Sequence, residues 1–136
     1  MRVKTIISKN IGERKTVFIG GKQIGANCLR QFLKRKIKPQ LVIANLDDDG
    51  IDKNWHESLV KVSKEAGLET IEKTKLNNLE IVKKIKDIEP EIIFCIGSTQ
   101  LIPKDILDIP LLGCLNIHPA LLPKYRGRYS TVHAIF

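Results

Sequence analysis

Two polar side chains near the end of the sequence, Asn116 and His118, have the types and the spacing to act together on one small molecule. They belong to an apolar run that begins at Leu112, and such a run is typical of a strand buried on both faces. Since side chains alternate along a strand, both groups are predicted to point to the same side. An amide N–H can stabilise negative charge developing on a carbonyl oxygen, and an imidazole can accept or return a proton near neutral pH. This combination suits acyl transfer.

The segment after His118 is predicted to be stiff. Pro119 and Pro123 fix their own φ angles, Gly127 is free to adopt positive φ, and the two leucines at 121–122 would form an apolar wall. Such a loop would hold the amide and the imidazole in register. A plainer interpretation of an isolated Asn-x-His-Pro sequence is that the two polar residues cap a strand and satisfy a turn.

The longer string Asn-Ile-His-Pro-Ala-Leu-Leu-Pro-Lys-Tyr-Arg-Gly at 116–127 resembles the signature of formyltransferases that use 10-formyltetrahydrofolate. That family includes glycinamide ribonucleotide, methionyl-tRNA and sugar-amine N-formyltransferases. The resemblance implies that Asn116 stabilises the oxyanion and that His118 shuttles the proton, together with an Asp further along the chain. Ala120 stands where the family usually has Ser, and the sequence ends at Phe136, before any such Asp.

Length and composition predict one soluble domain. The chain has 136 residues, of which 43% are hydrophobic and 28% charged. No apolar run reaches the length of a membrane span, and the N-terminus leads into no signal-peptide core, so a cytoplasmic location without membrane contact is expected. The three cysteines are predicted to be buried thiols in a reducing compartment, with no disulfide and no metal site; they are Cys28, Cys95 and Cys114.

The formal net charge of +8 suggests an anionic partner: nucleic acid, a nucleotide or the polyglutamate tail of a folate. Many of the cations are predicted on helix surfaces, at 34–38 and 83–86, where a solvated face aided by the helix C-terminal dipole explains them better than a partner does. Aromatic residues make up only 5% of the sequence, so the interleaving used by single-stranded nucleic acid binders is missing.

Strand and helix patterns alternate along the chain. This alternation predicts an α/β fold, a Rossmann-like and mostly parallel sheet with helices on both faces. Residues 1–14 are expected to be an N-terminal extension or edge strand, and 15–136 a catalytic domain. A helix barely begun after Ser130 indicates that this domain is incomplete at its C-terminus. Strands are predicted at 16–19, 41–44, 68–71 and 91–96, with helices between them, and a fifth strand is predicted between Gly113 and Pro119, with Asn116 and His118 at its end.

The turn after the first strand reads Gly-Gly-Lys-Gln-Ile-Gly at 20–25. It opens a helix as in Rossmann units, but it is not Gly-x-Gly-x-x-Gly, and no acidic residue follows at dinucleotide spacing, so a nicotinamide site is rejected. The formyltransferase resemblance implies that this turn lines the pocket for the amine substrate and that Gly21 and Lys22 contact it. An ordinary tight turn with an exposed lysine is the alternative.

The loop after the second strand mimics a calcium-binding loop. Asn45, Asp47 and Asp49 fall at the first, third and fifth ligand positions, but His56 replaces the glutamate expected at the twelfth. The loop is therefore interpreted as a turn and helix cap. Trp55 is predicted to begin the next helix as a hydrophobic anchor, with stacking on a base or a pterin as the alternative.

A loop at 97–103 follows the fourth strand at its carboxyl end. Ligands of open α/β sheets bind outside the carboxyl ends of strands where the strand order reverses, and the loops of strands one, four and five would converge there. The resemblance implies that this loop holds the pterin by backbone hydrogen bonds. The matching positions are Thr99, Gln100, Leu101 and Ile102.

The function implied by the resemblance is transfer of a formyl group from 10-formyltetrahydrofolate to a primary amine. An amino sugar on a nucleotide carrier is the favoured acceptor, because the segment at 124–136 resembles the sugar and tRNA branches and the first turn lacks a purine-branch phosphate nest. Methionyl-tRNA and glycinamide ribonucleotide are the competing acceptors. Two different functions also fit the motif: a formyltetrahydrofolate hydrolase, and an inactive folate-binding fragment without the catalytic Asp.

Overall fold

Parallel strands form a single sheet in the order β3-β2-β1-β4-β5 within the part of the chain that the structure, a computed structural model, describes: residues 9–117 and residue 124. All the pairings between these strands are parallel. The strand order reverses between β1 and β4, so their carboxyl ends define the crevice at which such sheets bind ligands. The strands are β1 (Thr16–Gly20), β2 (Leu41–Ala44), β3 (Thr70–Ile71), β4 (Ile92–Ile96) and β5 (Gly113–Ile117).

Helices connect the strands and cover both faces of the sheet. Buried side chains on one face of β1, β2 and β4 form a core with α3 and α4, and those on the other face form a second core with α1 and α2. The predicted α/β fold class is confirmed. The helices are α1 (Lys22–Lys34), α2 (Leu59–Glu65), α3 (Leu79–Ile88) and α4 (Lys104–Leu107), and a 3-10 turn at Ile11–Glu13 precedes β1.

Polar caps decide where two of the helices begin. Ser58 accepts a hydrogen bond from the Lys61 N–H at the start of α2, and Asn78 accepts one from the Glu80 N–H at the start of α3. The prediction that Trp55 begins a helix is wrong, because α2 starts at Leu59. Trp55 is not a hydrophobic anchor either, since it is 74% exposed.

The N-terminal segment is tied to the amino end of β4. Lys9 and Arg14 both contact the carboxylate of Glu91, at 3.0 and 3.3 Å, and the Lys15 N–H donates to the same group at 3.0 Å. Burial raises the pKa of Glu91, but the hydrogen bonds from Lys9 and Lys15 and the neighbouring positive charges outweigh this effect and lower it. Residues 1–8 of the predicted N-terminal extension or edge strand, and the helix predicted after Ser130, lie outside the described residues.

β5 lies at the edge of the described sheet, next to β4. The prediction that this strand is buried on both faces is wrong for the described residues: Leu115 and Ile117 are 58% and 45% exposed. An apolar composition does not distinguish a strand that is covered on both faces from one whose flank is open. None of the helices within the described ranges has the length and apolar character needed to cross a bilayer.

Candidate active site

The turn between β1 and α1 is pressed against the end of β4. Gly20 has φ +152°, and a Cβ at this position would lie 1.9 Å from the Ile96 carbonyl oxygen. The Gly21 N–H donates to that same oxygen at 3.1 Å. Glycine is therefore required here by close backbone approach, which closes the bottom of the crevice between β1 and β4.

Lys22 lies at the first turn of α1, at the mouth of this crevice. Its ammonium contacts the Asp47 carboxylate at 2.9 Å, and both side chains are more than one third exposed. The hydrogen bond from Lys22 holds the pKa of Asp47 below its ordinary value. Because an exposed ion pair of this kind contributes at most about 1 kcal/mol, an anionic ligand could compete for Lys22 at low cost.

One hydrogen bond within the loop after β4, and one from this loop to Leu76, give the loop a defined conformation. The Ser98 hydroxyl donates to the Gln100 carbonyl at 3.0 Å, and the Gln100 side-chain oxygen accepts from the Leu76 N–H at 3.1 Å. Leu101 projects outward with 94% of its surface exposed, whereas Thr99 and Ile102 are half-buried. A pocket of about 300 Å³ lies beside this loop, and its walls include Leu46, Leu76, Gln100, Leu101 and Pro103.

A larger depression, of about 700 Å³, lies near the amino ends of the strands, among residues that precede β4 and β5. Lys86 and the acidic residues Glu89, Glu91, Asp105 and Asp108 contribute to its wall. None of the predicted site residues lines it. The volume of a depression therefore does not identify the candidate site, because open α/β sheets bind ligands at the carboxyl ends of their strands.

The formyl transferase family model matches residues 14–136 of this chain. The chain belongs to the formyl transferase family. The methionyl-tRNA formyltransferase of Clostridioides difficile is 36% identical over 115 residues, which are 83% of this chain and 37% of that protein. The bifunctional polymyxin resistance protein ArnA of Wigglesworthia glossinidia brevipalpis is 36% identical over 104 residues, 76% of this chain and 15% of ArnA. The chain thus spans little more than a third of the length of the methionyl-tRNA formyltransferase.

Solved structures share the fold of this formyl transferase chain. Phosphoribosylglycinamide formyltransferase of Bacillus halodurans superposes with a TM-score of 0.65 at 22% identity, over 89% of this chain and 64% of that one. WlaRD, a sugar 3N-formyl transferase solved in the presence of dTDP and 5-N-formyl-THF, gives 0.64 at 24% identity, over 93% and 42%. The fold is thus shared with proteins named for different formyl acceptors.

The structure places one of the two predicted catalytic residues of this formyl transferase chain. Asn116 pairs with Cys95 in the register of β5 and β4, directly before the β4 loop, and its side chain is exposed. Alternation along β5 puts Asn116 on the same face as Cys114, which packs toward α3 and α4. His118 lies outside the described residues, so its geometry relative to Asn116 stays a prediction.

The cysteines of this formyl transferase chain are free thiols, but only Cys95 is fully buried. Burial and the neighbouring Cys114 raise the pKa of Cys95 to about 12. Cys28 and Cys114 are only half-buried, so the prediction that they are buried is wrong. Their partial burial still raises the pKa of each thiol. None of these thiols is activated as a nucleophile.

The calcium-like loop does not gather its oxygen ligands. Asp47 contacts Lys22, Asp49 contacts Lys53 and the Ile51 N–H, and Asn45 turns to the β4 loop. Asp48, which the calcium pattern ignored, is 7% exposed and accepts from the Ser58 hydroxyl at 2.5 Å and from the Val60 N–H at 3.2 Å. Across residues 9–117 and 124, no group of three or more His, Cys, Asp or Glu side chains is placed to hold a metal ion.

Asn45, which the sequence analysis considered only as part of the calcium-like pattern, contacts one of the predicted site loops. It is 3% exposed, and its side chain bonds to the backbone of the β4 loop. The available signal was its position, because it is the first residue after β2 and lies at the carboxyl edge of the sheet.

Proposed function

We propose that the protein to which this chain belongs transfers a formyl group from 10-formyltetrahydrofolate to a primary amine, an amino sugar carried on a nucleotide. Membership of the formyl transferase family supports the reaction class. The observation that carries the proposal is that the β1 turn, the β4 loop and the end of β5 lie at the carboxyl ends of three adjacent strands, and the strand order reverses between the first two of them. The predicted site residues lie on these three segments or directly after them.

In the proposed mechanism, each of the three segments has a separate role. Backbone groups at Thr99–Ile102 hold the pterin, and Gly21 and Lys22 face the amine substrate. The amine nitrogen bonds to the formyl carbon, the bond from that carbon to N10 of the folate breaks, and the amine proton passes through His118 to N10. Asn116 donates to the oxyanion of the tetrahedral intermediate. The products are a formamide and tetrahydrofolate.

Charge placement supports a small acceptor. The loop at 46–57 borders the carboxyl edge of the sheet and contains five acidic residues and one lysine. Cations near this loop already contact its carboxylates: Lys22 with Asp47, Lys53 with Asp49, Lys61 with Asp52, and Arg30 with Glu57. A polyanion such as tRNA needs several free cations along its path, whereas a nucleotide-linked sugar needs few.

The basic residues at the end of α1 and directly after it lie near the amino ends of the strands. The helix starts beside the carboxyl end of β1 and runs back toward the amino ends, so residues 34–38 are remote from the crevice. Among the described residues, the basic residues at 34–38 therefore do not contribute to the surroundings of the proposed site. Methionyl-tRNA remains the second candidate acceptor, because the 36% identity to a methionyl-tRNA formyltransferase favours it.

The test uses full-length protein, 10-formyltetrahydrofolate and three acceptors: an amino sugar nucleotide, methionyl-tRNA and glycinamide ribonucleotide. Formylation of the sugar with kcat/KM at least about tenfold above that of each competing acceptor is expected, a difference of about 1.4 kcal/mol in transition-state stabilisation. Exclusive formylation of methionyl-tRNA would overturn the choice of acceptor, and formate release at full rate without any amine would identify a hydrolase instead.

The catalytic assignment is tested by His118→Ala, which should lower kcat by about a hundredfold or more if this imidazole shuttles the proton. His56→Ala is the matched control. The ring of His56 contacts the Glu57 carbonyl at 3.0 Å and is outside the proposed machinery. An unchanged rate in the His118 variant would remove proton transfer from its role.

A further inference from the structure

We propose that Asn45 is a positioning residue for the formyl donor, because it fixes the β4 loop in the conformation that presents its backbone to the pterin. This inference rests on the proposed function, in which Thr99–Ile102 hold that ring system. Asn45 itself does not contact the reacting atoms in this scheme. It acts through the loop.

The side-chain amide of Asn45 joins two backbone groups of the β4 loop. Its Nδ2 donates to the Gly97 carbonyl at 2.9 Å, and its Oδ1 accepts from the Thr99 N–H at 3.0 Å. The amide orientation follows from these partners, since a carbonyl only accepts and a backbone N–H only donates. Asn45 is 3% exposed, so water cannot replace these contacts without opening the site.

Few side chains can make both contacts. The bridge needs one donor and one acceptor on a short planar group, which Asn provides. Aspartate carries two acceptors when ionised, so one oxygen would face the Gly97 carbonyl. Alanine would leave both loop groups without their partner.

The glycines of the β1 turn make room for this bridge. A Cβ at Gly21 would lie 2.7 Å from Asn45 Nδ2, and a Cβ at Gly97 would lie 2.2 Å from the Gly21 carbonyl oxygen. The Gly-Gly sequence is therefore explained by the packing of β1, the β4 loop and Asn45 against one another, without any phosphate in the turn.

The β1 turn is hydrogen-bonded to the backbone of Asn45, whereas the β4 loop is hydrogen-bonded to its side chain. The Asn45 backbone N–H donates to the Gly20 carbonyl at 2.9 Å, and this bond does not involve the side chain that the variants change. Substitution of the Asn45 side chain should therefore loosen the β4 loop. The β1 turn, which faces the amine in this proposal, should keep its hydrogen bond from the backbone N–H of residue 45. The expected result is a rise in KM for the formyl donor with little change in KM for the amine.

The experiment compares Asn45→Asp and Asn45→Ser with the wild type in the full-length enzyme. We expect the donor KM, and the Kd for the unreactive analogue 5-formyltetrahydrofolate, to rise about tenfold or more. Asn78→Asp is the matched control, because Asn78 caps α3 and aspartate caps a helix equally well. This control should leave both constants unchanged.

The aspartate variant adds a pH readout that a merely structural role would not produce. Burial and the facing carbonyl should raise the pKa of the new carboxyl, and its protonated form can again donate to Gly97. The ratio of variant to wild-type donor affinity should therefore increase as the pH falls from about 8 to about 6. Thermal unfolding of each variant checks that the fold persists.

Separate outcomes test the inference and the proposed function. A wild-type protein that neither formylates an amine nor binds 5-formyltetrahydrofolate would refute the proposed function. An active wild type whose Asn45 variants keep their donor KM, or change both KM values equally, would refute the positioning role alone. Failure of both variants to fold, or a pH-independent ratio for the aspartate variant, would reduce Asn45 to a structural residue and overturn the inference.

Discussion

Replacing Gly20 with alanine tests the close approach between the β1 turn and β4. The new Cβ would lie 1.9 Å from the Ile96 carbonyl oxygen, so the backbones must separate by about 1 Å to reach the 3.0 Å that real contacts respect. Overpacking of this kind costs about 1–3 kcal/mol. The backbone conformation at φ +152° adds about 1–3 kcal/mol for a residue with a side chain. We expect a loss of about 2–6 kcal/mol in the free energy of unfolding.

Gly67→Ala is the matched control for this prediction. Gly67 also has positive φ, +73°, but a Cβ there would meet no atom within 4 Å. Its loss should be about 1–2 kcal/mol, from conformation alone. Guanidinium unfolding of both full-length variants, followed by far-ultraviolet circular dichroism, measures the difference. Equal losses in the two variants would show that the contact with Ile96 carries no strain, and the argument from close approach would fail.

Two further predictions concern ionisable groups whose pKa values are shifted in the folded protein. Glu91→Gln should lower the free energy of unfolding at about pH 7 by about 1–3 kcal/mol, because the charged partner of Lys9 is lost. The pKa of Glu91 is lowered on folding, so its contribution is complete above the unfolded value near 4.5 and declines as pH falls through the folded value. Denaturant titrations of both proteins at about pH 7 and about pH 3 should show the gap shrinking, and a gap that widens in acid would contradict this sign. Iodoacetamide at about pH 8 should modify Cys28 before Cys95, whose pKa is about 12. Peptide mass spectrometry measures the order, and equal rates would argue against burial as the cause.

The elements with strong local signals were predictable from the sequence. β2 has the predicted bounds, Leu41–Ala44, and β1 and β4 differ from theirs by one residue at one end. The start of α2 was misplaced, because Trp55 is apolar and its exposure depends on a loop that closes with an antiparallel bridge between Lys53 and His56.

The candidate site was predictable in outline only. The motif and the rule for open α/β sheets indicated the three segments that converge, and the parallel order β1-β4-β5 confirms that their carboxyl ends meet. The assignment of Asn116 and His118 as catalytic stays a prediction. The bridge made by Asn45 was missed, because its partners lie 52 and 54 residues away along the chain.

By itself, the sequence determined the local conformations of this protein. Hydrophobic period, caps and glycines act over a few neighbouring residues, so their pattern specifies a strand, a helix or a turn wherever it occurs. The tertiary structure alone decided which strands are neighbours, which edge β5 occupies and which loop receives the Asn45 amide. Those outcomes depend on contacts between residues far apart in the chain, where the free energy of packing and of satisfying buried polar groups selects one arrangement that no local pattern encodes.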